Sequence, residues 1–195
     1  MKALQRIPMS EYLASPAVSR SDLIRIHERT PFYYRWHKKN SVDNATKATQ
    51  YGSALHEAVF EPKEFDGKWT GYSGSRTRSR NKDGETVPSG KYKAWLEEAG
   101  YDHEFVLGAD EFAMIADTSK LIRSLPGPSY LLESGQAEQT VFWTDTETGI
   151  ECRARFDFID LGRGLAVDLK STADITPDGF GKSCANFGYA LQAAH

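Results

Sequence analysis

The sequence predicts a mixed α/β fold of the α+β kind, and three observations predict it. Apolar residues recur at helical spacing in separate segments between about residues 19 and 125. The pattern then switches to alternation in three short runs between 139 and 171. Helical spacing returns beyond Pro177. Helices, a three-strand meander and a closing helix form one layered α/β architecture. A length of 195 residues suits a single domain, 1–195, with one core.

The elements follow in order. Ser19 and Asp22 have capping-box spacing, with Asp in place of Glu, ahead of Leu23, Ile24 and Ile26. Thr30-Pro31 starts a second helix before Phe32, Tyr33, Tyr34 and Trp36, since Pro at the first helical position loses no bond. Residues 40–50 are polar and read as a loop. Tyr51–Phe60 carries Leu55, Val59 and Phe60 at helical spacing and is expected to end at Pro62. Residues 71–91 are Gly/Ser-rich and basic without an apolar period, and are expected to form a flexible loop. Helices follow around Tyr92–Ala99 and Asp110–Leu125, the latter closed by Pro126-Gly127-Pro128. Gln139–Thr144 and Ile150–Ile159 read as strands joined by a turn at Glu147-Thr148-Gly149. Leu165–Ser171 is the third strand, and Phe180, Cys184, Phe187 and Leu191 mark the last helix.

Composition excludes several classes. At 39% hydrophobic and 26% charged the chain is too apolar for disorder. No stretch approaches the roughly 18 apolar residues of a spanning helix, and the N-terminus has no apolar signal core. Cys152 and Cys184 offer neither a disulfide framework nor zinc-ligand spacing. An intracellular protein is the expectation. The net charge of −3 hides an asymmetry. Residues 1–96 hold 17 Lys/Arg against 10 Asp/Glu, while residues 97–160 hold 4 against 14. A polyanion partner and an ordinary solvated surface both account for that split.

Alternation along the second strand puts Arg153, Arg155 and Asp157 on one face. On the third, Ala166, Asp168 and Lys170 share a face. A symmetric hairpin about Gly162-Arg163 sets Asp157 opposite Asp168, with Cβ atoms roughly 5 Å apart. Two carboxylates there repel by about 3 kcal/mol at an effective dielectric near 20. A divalent cation, helped by the Lys170 ammonium, reverses that sign. Spacing alone also allows the other arrangement, with one Asp in the turn and the other on a solvated edge.

Asp157, then Asp168-Leu169-Lys170 eleven residues on, resembles the signature of the PD-(D/E)xK metal-dependent nuclease superfamily. Four further blocks make the resemblance more specific. Tyr51-Gly52-Ser53-Ala54-Leu55-His56-Glu57-Ala58-Val59-Phe60-Glu61-Pro62 resembles the G-x-x-x-H-x-x-x-x-E-P helix of RecE-type exonucleases. Ala166 to Asp174 resembles their V-D-x-K-[ST]-T-x-D strand, and Tyr189 to His195 resembles the helix of their Q-x-x-x-Y motif. Ala17 to Leu23 resembles the start of the same domain. On these blocks the chain is identified as a member of the RecE-like, lambda-exonuclease-like family. Two departures are visible: Phe156 replaces the Pro of the superfamily name, and Asp168 replaces a frequent Glu. The Tyr of Q-x-x-x-Y would follow His195, so the domain is expected to be truncated at its C-terminus.

The resemblance implies a restriction-endonuclease-like core, a central mixed sheet with an antiparallel meander flanked by helices. It implies a Mg²⁺-dependent (or Mn²⁺-dependent) 5′→3′ exonuclease that leaves 3′ single strands for phage-type recombination. One or two ions would be held by His56, Asp157, Asp168 and the Leu169 carbonyl, with Lys170 and Gln192 as further catalytic residues. Glu61 and Glu138 would support the ligands from behind, or be ordinary surface carboxylates. Arg76, Arg78, Arg80 and Lys82 in the basic loop, with Arg20 and Arg25, would hold phosphates; a solvated linker is the other reading of that loop. Trp36, Trp69, Trp95 and Trp143 read as core residues, with base stacking as the alternative. The implied partners are double-stranded DNA ends, other copies in a homo-oligomeric ring and a single-strand annealing protein. No membrane is implied, and the implied location is the cytoplasm of a bacterial host carrying the phage or prophage. The alternatives are a non-cleaving, decayed prophage protein that binds DNA or a recombination partner, and a RecB-like endonuclease.

Overall fold

The computed structural model describes residues 3–40, 46–77, 87–172 and 174–195. In chain order the helices are α1 (Met9–Ala14), α2 (Arg20–Glu28), α3 (Pro31–Asn40), α4 (Lys47–Phe60), α5 (Pro62–Lys68), α6 (Gly90–Ala99), α7 (Ala109–Ser124), α8 (Pro126–Leu131), α9 (Pro177–Asn186) and α10 (Tyr189–Ala194). The strands are β1 (Thr70–Tyr72), β2 (Val106–Gly108), β3 (Gln136–Thr144), β4 (Glu151–Asp160) and β5 (Leu165–Val167). The fold is mixed α+β. Its parallel pair β1–β2 and its antiparallel meander β3–β4–β5 form two separate sheets. Among the described residues no helix is long and apolar enough to cross a membrane.

Contacts divide the chain into two compact units, Ala45–Glu133 and the combination of Met1–Asn44 with Ser134–His195. In the first, Leu55, Ala58 and Val59 of α4 are buried, as is Ile115 of α7. Two polar bonds lock α4 to α7. Ser119 Oγ donates to the Ala58 carbonyl at 2.5 Å, and the Arg123 guanidinium donates to that of Val59 at 2.6 Å. Pro62 and Pro126, expected only to stop helices, each also open a short one, α5 and α8. Proline lacks a donor that the first turn would leave unpaired anyway. The strands β1 and β2 carry three residues each, too few to show alternation in the sequence.

In the second unit, the three-stranded sheet is wrapped by the N-terminal segment. Gln5 bridges to Thr140 of β3, and Val18 bridges to Cys152 of β4. Between these points α1 meets the arginine-bearing face of β4. The Arg153 guanidinium donates to the Tyr12 and Ser15 carbonyls and lies 4.5 Å from the Tyr12 ring centre. Arg155 donates to the Ile7 carbonyl at 3.0 Å. The capping box at α2 forms as expected, with Ser19 and Asp22 exchanging bonds.

The turn after β4 sets the register. Asp160 is buried, and its carboxylate accepts from Ser134 Oγ at 2.5 Å, Arg163 Nε at 2.6 Å and the Arg163 amide at 3.0 Å. Gly164 supplies the left-handed residue that returns the chain, at φ 64°. The pairing that results puts Phe158 opposite Val167, Ile159 opposite Ala166 and Asp160 opposite Leu165. This is the symmetric register expected for the hairpin. The third strand is shorter than expected, since its ladder stops at Val167.

The bonds from Ser134 and Arg163 hold the Asp160 carboxyl below its usual 3.8, at about 2. A lowered folded value means a stabilisation that is complete above the unfolded value and lost as pH falls through the folded one. Asp160→Asn should therefore lower Tm at pH 7, and the gap to the wild type should close between about pH 4 and 2. Paired thermal melts across that range check it.

Candidate active site on the meander

One further step along the β4–β5 register sets Asp157 opposite Asp168, just past the last ladder pair. There the Asp157 carboxylate accepts the Leu169 amide at 2.9 Å. A side-chain oxygen thus takes a donor that a longer ladder would have used, which is why β5 ends at Val167. Asp168 meets two partners of its own. Lys170 Nζ lies 2.5 Å from its Oδ2, and Gln192 Nε2 donates to its Oδ1 at 2.7 Å. Lys170 also lies 5.2 Å from the centre of the Tyr189 ring. Residues from the hairpin and from α10 therefore converge on one carboxylate.

The segment between them is wound by short polar bonds. Asp174 accepts the Thr176 amide and hydroxyl, which hold its carboxyl below the ordinary value. Thr176 Oγ1 then caps α9 at the Gly179 amide. A Cβ on Gly179 would come within 2.2–2.6 Å of the Asp174 carboxylate, so any side chain there would push that carboxylate aside. Gly188, at φ 61°, turns the chain from α9 into α10 and so delivers Tyr189 and Gln192.

Glu138 sits on β3 at the position opposite Asp157, between the pairs Ala137–Phe158 and Gln139–Phe156. Among the described residues it is the one non-glycine with positive φ, at 56°. Its carboxylate accepts from Arg155 Nε at 2.5 Å, so it meets the neighbouring arginine. A non-glycine backbone in that region is held there by its surroundings.

The other expected residues fall as follows. His56 lies on α4, in the unit Ala45–Glu133, with its ring edge-on to Phe60 at 6.0 Å. Glu61 is the C-cap of α4. Arg76 is turned inward: its guanidinium donates to the Val106 carbonyl at 2.5 Å and pairs with Glu111 at 3.4 Å, with 14% of the side chain exposed. Arg78, Arg80 and Lys82 lie outside the described residues. Arg25 pairs with Asp22 at 3.7 Å. Arg20 opens α2, and its Nε is buried without a hydrogen-bond partner. One of its terminal nitrogens lies 3.8 Å from where a Cβ on Gly188 would be, at the residue that precedes Tyr189. Tyr189 joins the site with no sequence signal beyond its three-residue spacing from Gln192, which puts both on one side of α10.

This donor set fits a hard divalent cation. Mg²⁺ keeps several waters and takes only one or two carboxylates from a protein. Asp157 and Asp168, on facing positions of the register, provide two. Among the described residues no group of three His, Cys, Asp or Glu side chains stands close enough to form an all-protein cage. Dedicated cages of that kind suit other ions.

A family model described as a PDDEXK-like domain of unknown function (DUF3799) matches residues 21–195. No curated protein matches the chain.

Replacing either acid tests the pairing. Mg²⁺ should raise the Tm of the wild type, because binding to the folded state alone stabilises it. Asp157→Ala and Asp168→Ala should each lose that rise in thermal melts. Asp157→Ala should also speed hydrogen exchange at the Leu169 amide, whereas Asp168→Ala should leave that amide protected.

Proposed function

The chain belongs to the PDDEXK-like family DUF3799, a nuclease-type fold, and from that premise we propose that it is a divalent-metal-dependent exonuclease. Its substrate is duplex DNA, degraded 5′→3′ to leave 3′ single strands for recombination. The observation that carries the hydrolytic reading is the pair Asp157 and Asp168, set opposite by the hairpin, with Lys170 and Gln192 on the same carboxylate. The polarity and the recombination role rest on the resemblance of residues 51–62, 166–174 and 189–195 to RecE-type motifs.

Each residue has a task that follows from its place. Asp157 and Asp168, with the Leu169 carbonyl, hold the cation; Mg²⁺ is the ion proposed. A divalent ion bound there supplies charge neutralisation at the phosphodiester and a nucleophile at neutral pH. Lys170 carries a positive charge to the reacting phosphate, and the Tyr189 ring face keeps that ammonium positioned. Gln192 fixes Asp168 through one oxygen and orients water with its remaining amide atoms. Arg20, one of whose terminal nitrogens lies near Gly188 just ahead of Tyr189, would hold the attacked strand by a phosphate through its terminal nitrogens. Arg78, Arg80 and Lys82 add sequence-independent phosphate contacts, as an enzyme that digests any sequence requires.

Linear duplex labelled at either end tests the reading. With Mg²⁺, the 5′ label should be released first, and Asp168→Ala should abolish release. Nicking of closed circles would identify an endonuclease instead, and binding without cleavage would identify a DNA-binding protein. Lys170→Ala should cost about 100- to 1,000-fold in turnover, as loss of one charge-stabilising donor does. Calorimetry should show its Mg²⁺ affinity little changed. Neutralising Arg78, Arg80 and Lys82 together should flatten the salt dependence of duplex binding by roughly 2–3 units of slope, at about 0.9 per lost contact.

A further inference from the structure

The helix α3 has two unlike faces. One is docked: Lys38 Nζ donates to the Pro16 carbonyl at 3.2 Å and to Tyr34 Oη at 3.0 Å, and lies 3.8 Å from Asp22. The other is open. Phe32 is 79% exposed and Trp36 53%, and no residue of α3 is buried. Phe32 and Trp36 stand four residues apart and so share one side of the helix. Tyr33 flanks them, its ring centre 6.2 Å from that of Trp36. Arg35 and Lys39, also four apart, run beside this aromatic ridge, and among the described residues neither has an ion-pair partner. From Arg29 to Asn40 the sequence has no carboxylate. Exposed aromatics in such a group mark a binding surface.

We infer that the open face of α3 binds single-stranded DNA, with bases stacked on Phe32 and Trp36 and phosphates held by Arg35 and Lys39. The inference deepens the nuclease reading and rests on it for the source of the strand. Charge chooses the partner, because a row of cations with no acid among them suits a polyanion and repels a basic surface. Spacing chooses the single strand. Residues four apart on a helix are separated by about 6 Å of rise. Duplex bases are stacked at about 3.4 Å per nucleotide and leave no gap for a ring. Unstacked bases of a single strand present their faces to any aromatic platform, whatever the sequence. The strand left by digestion of the other is such a ligand.

The test is oligothymidylate of about 15 nucleotides, within the range of known single-strand sites, titrated without divalent metal so that nothing is cut. Emission from Trp36 should be quenched, whereas Trp69, 3% exposed, is shielded. Trp36→Phe should lose the quench yet keep affinity by anisotropy, since a ring remains. Phe32→Ala and Trp36→Ala should each weaken binding by about 10-fold or more, as lost stacks do. Arg35→Gln with Lys39→Gln should flatten the salt slope by about 1.4, at 0.7 per single-strand contact. Equal competition by duplex of the same length would overturn the inference, as would alanine variants that bind like wild type. So would sedimentation showing that Trp36→Ala splits an oligomer while oligothymidylate affinity is unchanged, which would assign the face to a second copy. Failure here is separable from failure of the nuclease reading. Cleavage of duplex without oligothymidylate binding sinks only this inference, and binding without cleavage sinks only the other.

Discussion

The site depends on the clasp at the β4–β5 turn, where Asp160 holds Ser134 and both the amide and the guanidinium of Arg163. A strand has a side-chain period of two, so a slip of one residue would turn Asp168 and Lys170 to the opposite face. The clasp opposes the slip, because Asp160 is buried and a shifted turn would part its carboxylate from these donors. Ser134 belongs to the lead into β3, so the same bonds tie all three strands together. Gly135 just beyond it could carry no side chain, since a Cβ would come within 2.6 Å of the Phe158 ring and 2.8 Å of the Ile159 carbonyl.

That register creates an electrostatic problem, and the surrounding chain answers it. Two carboxylates on facing positions repel, yet here each is engaged by a different group. Asp157 takes a backbone amide, and Asp168 takes an ammonium and a side-chain amide. The donors are weakly committed, because Lys170 and Asp168 remain 26% and 39% exposed. Exposed pairs of this kind contribute little to stability. Under the proposed function, Asp168 would hold a divalent cation at little cost in displaced partners, with the Tyr189 ring 5.2 Å from Lys170 as a second support for the ammonium.

The N-terminal basic charge divides by partner. Lys38 is tied to Asp22 and a carbonyl, and Arg76 is turned into its own unit. Of the cations on the meander, Arg153 and Arg155 anchor the segment that wraps the sheet. What is left for an outside anion is narrower than the composition suggests. Among the described residues of the unit that holds the aspartates it includes Arg20, beside the start of α10, the exposed Arg29 and Lys182, and the open side of α3. A count of charges gives a sign for the partner, while the partners already present inside the molecule decide which cations can meet it.

Much of this protein was legible in its sequence, for definite physical reasons. Alternation and turn glycines are local, so the meander could be read from residues 139–170, whereas spacing there left open whether Asp157 meets Asp168 until the turn held by Asp160 fixed the register. Helix starts were equally local, as the Ser19–Asp22 box and Thr30-Pro31 show. Tertiary structure decided what depends on distant partners. It ended β5 early by giving the Leu169 amide to Asp157, and it made Pro62 and Pro126 helix starts as well as stops. It turned Arg76 inward and left Trp36 in solvent. It also set Glu138 opposite Asp157 and then joined it to Arg155, although 17 residues separate that pair in the chain. Spacing along a chain reports which side chains share a face, and only the folded contacts report which of them already have a partner.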